Sequence, residues 1–144
     1  MSTSAELCDE LLCVLDRYYE MTPRIVRPAV SKNRSREALE HARHLLALYR
    51  ARAKLFGEDL FVDPAWMMML DLFVAYRTGR VVSVSSLCLA SSAPPTTALR
   101  WINMMVERKI ICRTPDANDL RRHNVTLSEQ TREWMEDLLY KTPL

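Results

Sequence analysis

The chain has 144 residues, of which 49% are hydrophobic and 26% charged, with a formal net charge of +2 at pH 7. That is enough apolar material for one domain with a core, and too little charge for a disordered chain. Only two glycines occur, Gly57 and Gly79, so no glycine-rich loop is available to cradle a nucleotide phosphate, which argues against a nucleotide-binding fold.

The longest uncharged stretch, Val81 to Leu99, holds Ser83, Ser85, Ser86, Ser91, Ser92, Thr96, Thr97 and the Pro94-Pro95 pair, so it does not read as a membrane span. The polar start MSTSAE lacks the basic-then-apolar order of a signal peptide. Cys8, Cys13, Cys88 and Cys112 form no C-x-x-C pair. The expected location is therefore the reducing cytoplasm, without membrane contact. Charge is unevenly spread. Nine basic residues between Arg24 and Lys54 face only Glu37 and Glu40, and seven between Gly79 and Val125 face Glu107, Asp116 and Asp119. Two basic blocks on a near-neutral chain suit either a polyanion-binding surface or two solvated helix faces.

In chain order, Leu7, Leu11, Val14 or Leu15, and Tyr18 predict an amphipathic helix over Ala5 to Glu20. Met21 to Asn33, with Pro23, Pro28 and several arginines, reads as a basic connector. Residues 1–33 thus form an extension ahead of a domain spanning 34–144. Ser35 offers an N-cap, and Leu39, Ala42, Leu46, Tyr49, Ala53 and Phe56 recur at steps of three and four as a packing seam, for this domain or for a second subunit. Gly57 closes that helix. Asp63-Pro64 starts the next one, whose Ala65, Trp66, Met68, Met69, Leu72, Phe73 and Tyr76 cover most of its circumference, as expected of a central buried helix ending at Gly79.

Ser83 caps a short helix carrying Val84, Leu87 and Cys88, and Pro95 begins another after a tight turn, so 83–109 reads as two helices joined by a turn. In the second, Ala98, Trp101, Ile102 and Met105 face the core. Thr96, Thr97, Leu99, Arg100, Asn103 and Met104 face away. Arg and Asn suit bidentate bonds to guanine and adenine edges, Thr hydroxyls suit phosphates, and apolar groups suit thymine methyls. Ile110 to Cys112 and Asn124 to Leu127 predict a hairpin over 110–127 with Pro115 to Leu120 as its turn and Arg121 and Arg122 near its tip, a chemistry suited to the minor groove. Ser128 then caps a last helix over 128–140 with a Trp134, Met135, Leu138 and Leu139 stripe.

From about Leu45 to Leu139 the sequence resembles the MarR (multiple antibiotic resistance regulator) family of winged helix-turn-helix repressors. The resemblance is carried by SVSSLCLASSAPPTTALRWINMMVERKII and RTPDANDLRRHNVTLSEQTREW, above all by the order Asp119, Arg121, Leu127 and Ser128. It implies a mainly α fold with a small β-hairpin wing, and a homodimer joined by N- and C-terminal helices. It also implies that Thr96, Thr97, Arg100 and Asn103 face DNA, that Arg121 enters the minor groove and that Asp119 orients basic side chains; with Leu99 and Arg122, read from the residues themselves, these form the expected DNA-binding set. Ser92 and Lys109 stand where the family commonly has glycine, and Leu120 where a small residue is common.

The expected function is that of a sequence-specific transcriptional regulator, a repressor acting as a homodimer on double-stranded DNA, without catalysis. A winged-helix protein-interaction module without DNA binding is the alternative. A small-molecule effector would sit near Tyr49, Trp66, Met67 and Met69. No cofactor and no metal are expected: His41 and His44 with Glu37 and Glu40 fit a solvated helix face better than a metal site.

Overall fold

The computed structural model describes residues 32–60 and 63–141. The helix expected over Ala5 to Glu20 and most of the connector lie outside the described residues. Within them the elements run α1 (Lys32–Phe56), α2 (Pro64–Thr78), α3 (Val84–Ala90), α4 (Pro95–Glu107), β1 (Ile111–Pro115), β2 (His123–Leu127) and α5 (Glu129–Lys141).

The helix α1 already includes Lys32 and Asn33, so Ser35 is not its cap. Ser35 is buried inside the helix, and its Oγ donates to Glu136 of α5 at 3.3 Å, a partner 101 positions away. The inward stripe is Ser35, Ala38, Ala42 and Leu46, with Leu45 and Tyr49 packed beside it. It is rotated from the expected seam: Leu39 is half-buried and Phe56 is 63% exposed. Alanines at the contact let α1 pack closely on α2 and α5, and a pattern weighted toward large side chains misses them. Arg34 pairs with Asp137 across the α1–α5 contact and stacks over the Tyr140 ring at 4.9 Å.

Local chemistry explains the ends of α2. The Asp63 carboxylate accepts the Trp66 main-chain N–H at 3.2 Å, and Pro64 occupies the first turn, where its missing donor matters least. Gly79 ends the helix at a φ of +73°, a left-handed conformation that glycine adopts without steric cost. Between them Met68, Leu70 and Phe73 are fully buried, so α2 is the central helix. Its Asp71 is also buried, which would be costly for an unpaired carboxylate. Arg80 Nη2 donates to Asp71 Oδ1 at 2.9 Å and so fastens the segment leaving Gly79 back onto α2.

That segment leads into the α3–α4 pair. Ser83 Oγ accepts the Ser86 N–H at 3.2 Å and caps α3, as Ser128 Oγ caps α5 by accepting the Thr131 N–H at 3.3 Å. The strands are antiparallel, with Ile111 opposite Leu127, Arg113 opposite Val125 and Pro115 opposite His123. Pro115 therefore ends β1 instead of opening the turn, a place a proline tolerates on an edge strand. Ile111, Val125 and Leu127 line the core face of the hairpin. The Val125 N–H donates to the Val82 carbonyl at 2.9 Å, and Asn124 bridges Ser83, so β2 is pinned to the entry of α3. On α5 the expected stripe divides: Met135 and Leu139 are buried, whereas Trp134 is 60% and Leu138 49% exposed.

Candidate nucleic-acid interface

The turn between α3 and α4 is shaped by Ser91, whose Oγ donates to the Cys88 carbonyl at 2.6 Å and accepts the Ala93 N–H at 3.1 Å. Ser92 follows at a φ of +57°. Among the described residues the other positive-φ residue without glycine's freedom is Lys109, also at +57°, just beyond the far end of α4. Both are positions at which the resemblance noted in the sequence would lead one to expect glycine. The backbone adopts the left-handed conformation at both although the side chain makes it unfavourable.

Burial of Ala98, Ile102 and Met105 fixes which way α4 faces, with Trp101 half-buried against the same core. Thr96, Leu99, Arg100 and Asn103 are consequently exposed, while Thr97 and Met104 are half-buried at the edges of that face. Only Glu107, at the last turn, brings an acid onto the helix. The Arg100 guanidinium forms no ion pair among the described residues.

The hairpin tip is exposed from 117 to 122, placing Asp119, Arg121 and Arg122 in solvent with Leu120, itself 79% exposed, between them. Its acidic side chains are turned onto main-chain amides. Asp119 Oδ1 accepts the Arg121 N–H at 3.0 Å. Asp116 Oδ1 accepts the Asn118 N–H at 2.8 Å and the Asp119 N–H at 3.2 Å, and its Oδ2 accepts an Asn124 Nδ2–H at 2.9 Å. The Asn124 amide first, then the Asn118 N–H, hold the Asp116 carboxyl below the usual aspartate range. The Arg121 guanidinium forms no ion pair among the described residues and is left to meet an outside acceptor. Asp119 therefore acts on the arginine's backbone, not on its side chain, and Asp116 was not singled out from sequence because its partner Asn124 lies across the hairpin.

A helix pair joined by a tight turn, followed by a hairpin that packs on its second helix and is pinned to its first, decides the architecture. The fold is a winged helix-turn-helix. No protein-family model and no curated protein matches the chain in sequence. Among solved structures the winged helix is similar to S. aureus MepR in its DNA-binding conformation, at 14% identity over 66% of this chain and 69% of that one, with a TM-score of 0.48. It is similar to a MepR mutant from a multidrug-resistant S. aureus clinical isolate at 14% identity, over 98% of this chain and 76% of that one, with a TM-score of 0.47. Bordetella bronchiseptica BpsR, whose DNA binding is regulated by 6-hydroxynicotinic acid, shares 20% identity over 72% of this chain and 67% of that one, with a TM-score of 0.42.

Of the four residues expected around an effector, Tyr49 and Met67 line a cleft of about 110 Å³. Trp66 stands behind it, its Nε1–H donating to Tyr49 Oη at 3.3 Å, and Met69 is not part of the lining. The other walls, which sequence reasoning missed, include Arg50, Asp63, Ser91 and Ser92, so the cleft is more polar than expected and reaches the helix-turn-helix turn. On α1, His41 Nδ1 lies 2.7 Å from the Leu139 carbonyl and Glu40 pairs with Arg36 at 3.8 Å. No group of three or more metal-ligating side chains comes together among the described residues. Cys88 and Cys112 are free thiols, and burial pushes the Cys88 thiol up, away from the reactive thiolate. Among the described residues no helix is long and apolar enough to cross a membrane.

Proposed function

We propose that the protein is a cytoplasmic, sequence-specific DNA-binding transcriptional regulator, a homodimer that represses from a pseudopalindromic operator and carries out no catalysis. One observation carries this reading. The exposed face of α4, with Thr96, Leu99, Arg100 and Asn103, shares a core with a hairpin whose acids are turned onto main-chain amides while Arg121 stays unpaired. A face with bidentate donors suits base edges in the major groove, and a cationic tip suits the narrow minor groove beside it. Thr97, at the first turn of α4, and Arg122 serve phosphates, and Asp119 holds the Arg121 backbone.

Leu48 and Leu55 on α1 and Trp134 on α5 are exposed apolar side chains, which supports a second copy as the partner. Two copies would read half-sites about one helical turn apart, roughly 10 base pairs. The cleft beside Tyr49 and Met67 is the place for a small-molecule effector, because its wall includes the turn that leads into α4.

Selection from a random duplex pool, followed by a salt titration of the winner, tests the reading. The expected winner is a pseudopalindrome bound with a steep salt dependence. Arg100→Ala should relax preference at one base position at a cost of about 1 to 3 kcal/mol, and unchanged specificity would remove Arg100 from the reading set. Weak binding with no enriched sequence would favour a protein partner instead.

A further inference from the structure

The wing tip has almost no apolar packing, since every residue from 117 to 122 is exposed. Its shape therefore depends on hydrogen bonds, and three of the six across the tip meet at one side chain. The Asp116 carboxylate takes two successive main-chain amides of the tip, Asn118 and Asp119, and the Asn124 side chain of β2. The Asp116 N–H also donates to the Arg122 carbonyl at 2.8 Å, which closes the loop on its far side. Asn124 in turn belongs to the strand bridged to Ser83. One carboxylate thus connects the near side of the tip, the returning strand and, through that strand, the first helix of the reading pair.

We infer that Asp116 is the positioning residue of the wing, holding the tip in the shape that carries Arg121 and Arg122 outward. The inference rests on the DNA-binding reading above. Asp119, the acid to which the resemblance gives an orienting role, closes only the turn around Arg121 and makes no bond to β2. Asp116 is the brace between tip and scaffold. A loop ordered before it meets the duplex loses less conformational freedom on binding than one that must be ordered there, so the brace converts directly into affinity at the wing contact.

The test uses the full chain and the duplex selected by the wild type, with Asp116→Ala, Arg121→Ala, the double variant and Asp116→Asn. In the free protein, Asp116→Ala should speed amide hydrogen exchange at Asn118 and Asp119 and lower the thermal midpoint only slightly. On DNA, Asp116→Ala and Arg121→Ala should each weaken binding about tenfold, and the double variant should lose clearly less than the product of the two. Asp116→Asn should keep most of the affinity. Its Oδ1 still accepts both amides, and Asn124 can turn its amide over to accept from the new Nδ2. Unchanged exchange in Asp116→Ala, or costs that add in the double variant, would overturn the inference. A wild type that selects no duplex would sink the DNA reading instead, and the exchange measurement would then decide the brace alone.

Discussion

The outer face of α4 and the tip of the wing are presented in opposite ways. Burial holds α4: Ala98 and Ile102 are completely covered and Met105 nearly so, and the orientation of Arg100 and Asn103 follows from that packing. The tip is shaped by hydrogen bonds to Asp116 and Asp119, with no buried side chain from 117 to 122. Reorienting the helix must therefore disturb the whole fold, whereas the tip can be undone locally while the fold stands. Damage to the first is read as stability, and damage to the second as binding.

The largest expected effect breaks the helix side of this contrast. Ile102→Ala should destabilise the protein by about 2 to 5 kcal/mol in urea unfolding, through lost transfer energy and the cavity left behind. A loss under about 1 kcal/mol would mean that something other than burial holds α4. Smaller and opposite in sign are Ser92→Gly and Lys109→Gly, at the two positive-φ residues that bracket α4. Each should raise stability by about 1 kcal/mol, because glycine removes a left-handed penalty of about 1 to 2 kcal/mol and returns part of it as unfolded-state entropy. A lowered thermal midpoint in either variant would reveal a side-chain contact that outweighs the backbone.

The smallest effect sharpens the wing side and concerns pH. Hydrogen bonds hold the Asp116 carboxyl below the usual aspartate range, so its contribution is complete above that range and is lost as pH falls through the lowered value. The tip should loosen only in acid, below about pH 4, where hydrogen exchange at the Asn118 and Asp119 amides should outrun its intrinsic pH dependence. Loosening of the tip already near neutrality, read as faster exchange at those two amides, would contradict the assignment.

What could be read from sequence divides along the same line. Asp63, Ser83 and Ser128 cap their helices through partners three residues ahead, so residue type and spacing were enough. The inward positions Ala98, Ile102 and Met105 follow from helical period alone. Ser35 misleads because its partner is Glu136, on an element that the local pattern does not connect to it. The role of Asp116 depends on Asn124 returning across a hairpin, and the cleft joins Tyr49 and Met67 to Ser91 and Ser92 of another element. At Ser92 and Lys109 the resemblance suggests glycine, but only the backbone tells that both residues are left-handed.

The bond from Val125 to Val82 and the bridge from Asn124 to Ser83 give the wing and the helix pair a common root. With the tip in its hydrogen-bonded shape, the pair behaves as a calliper set to one opening. On a duplex gripped in the proposed way, the offset along the axis between the groove that α4 enters and the groove that the tip enters is a constant of the protein. If the protein binds DNA as proposed, sequences that it accepts should differ in the bases under each jaw and not in that offset.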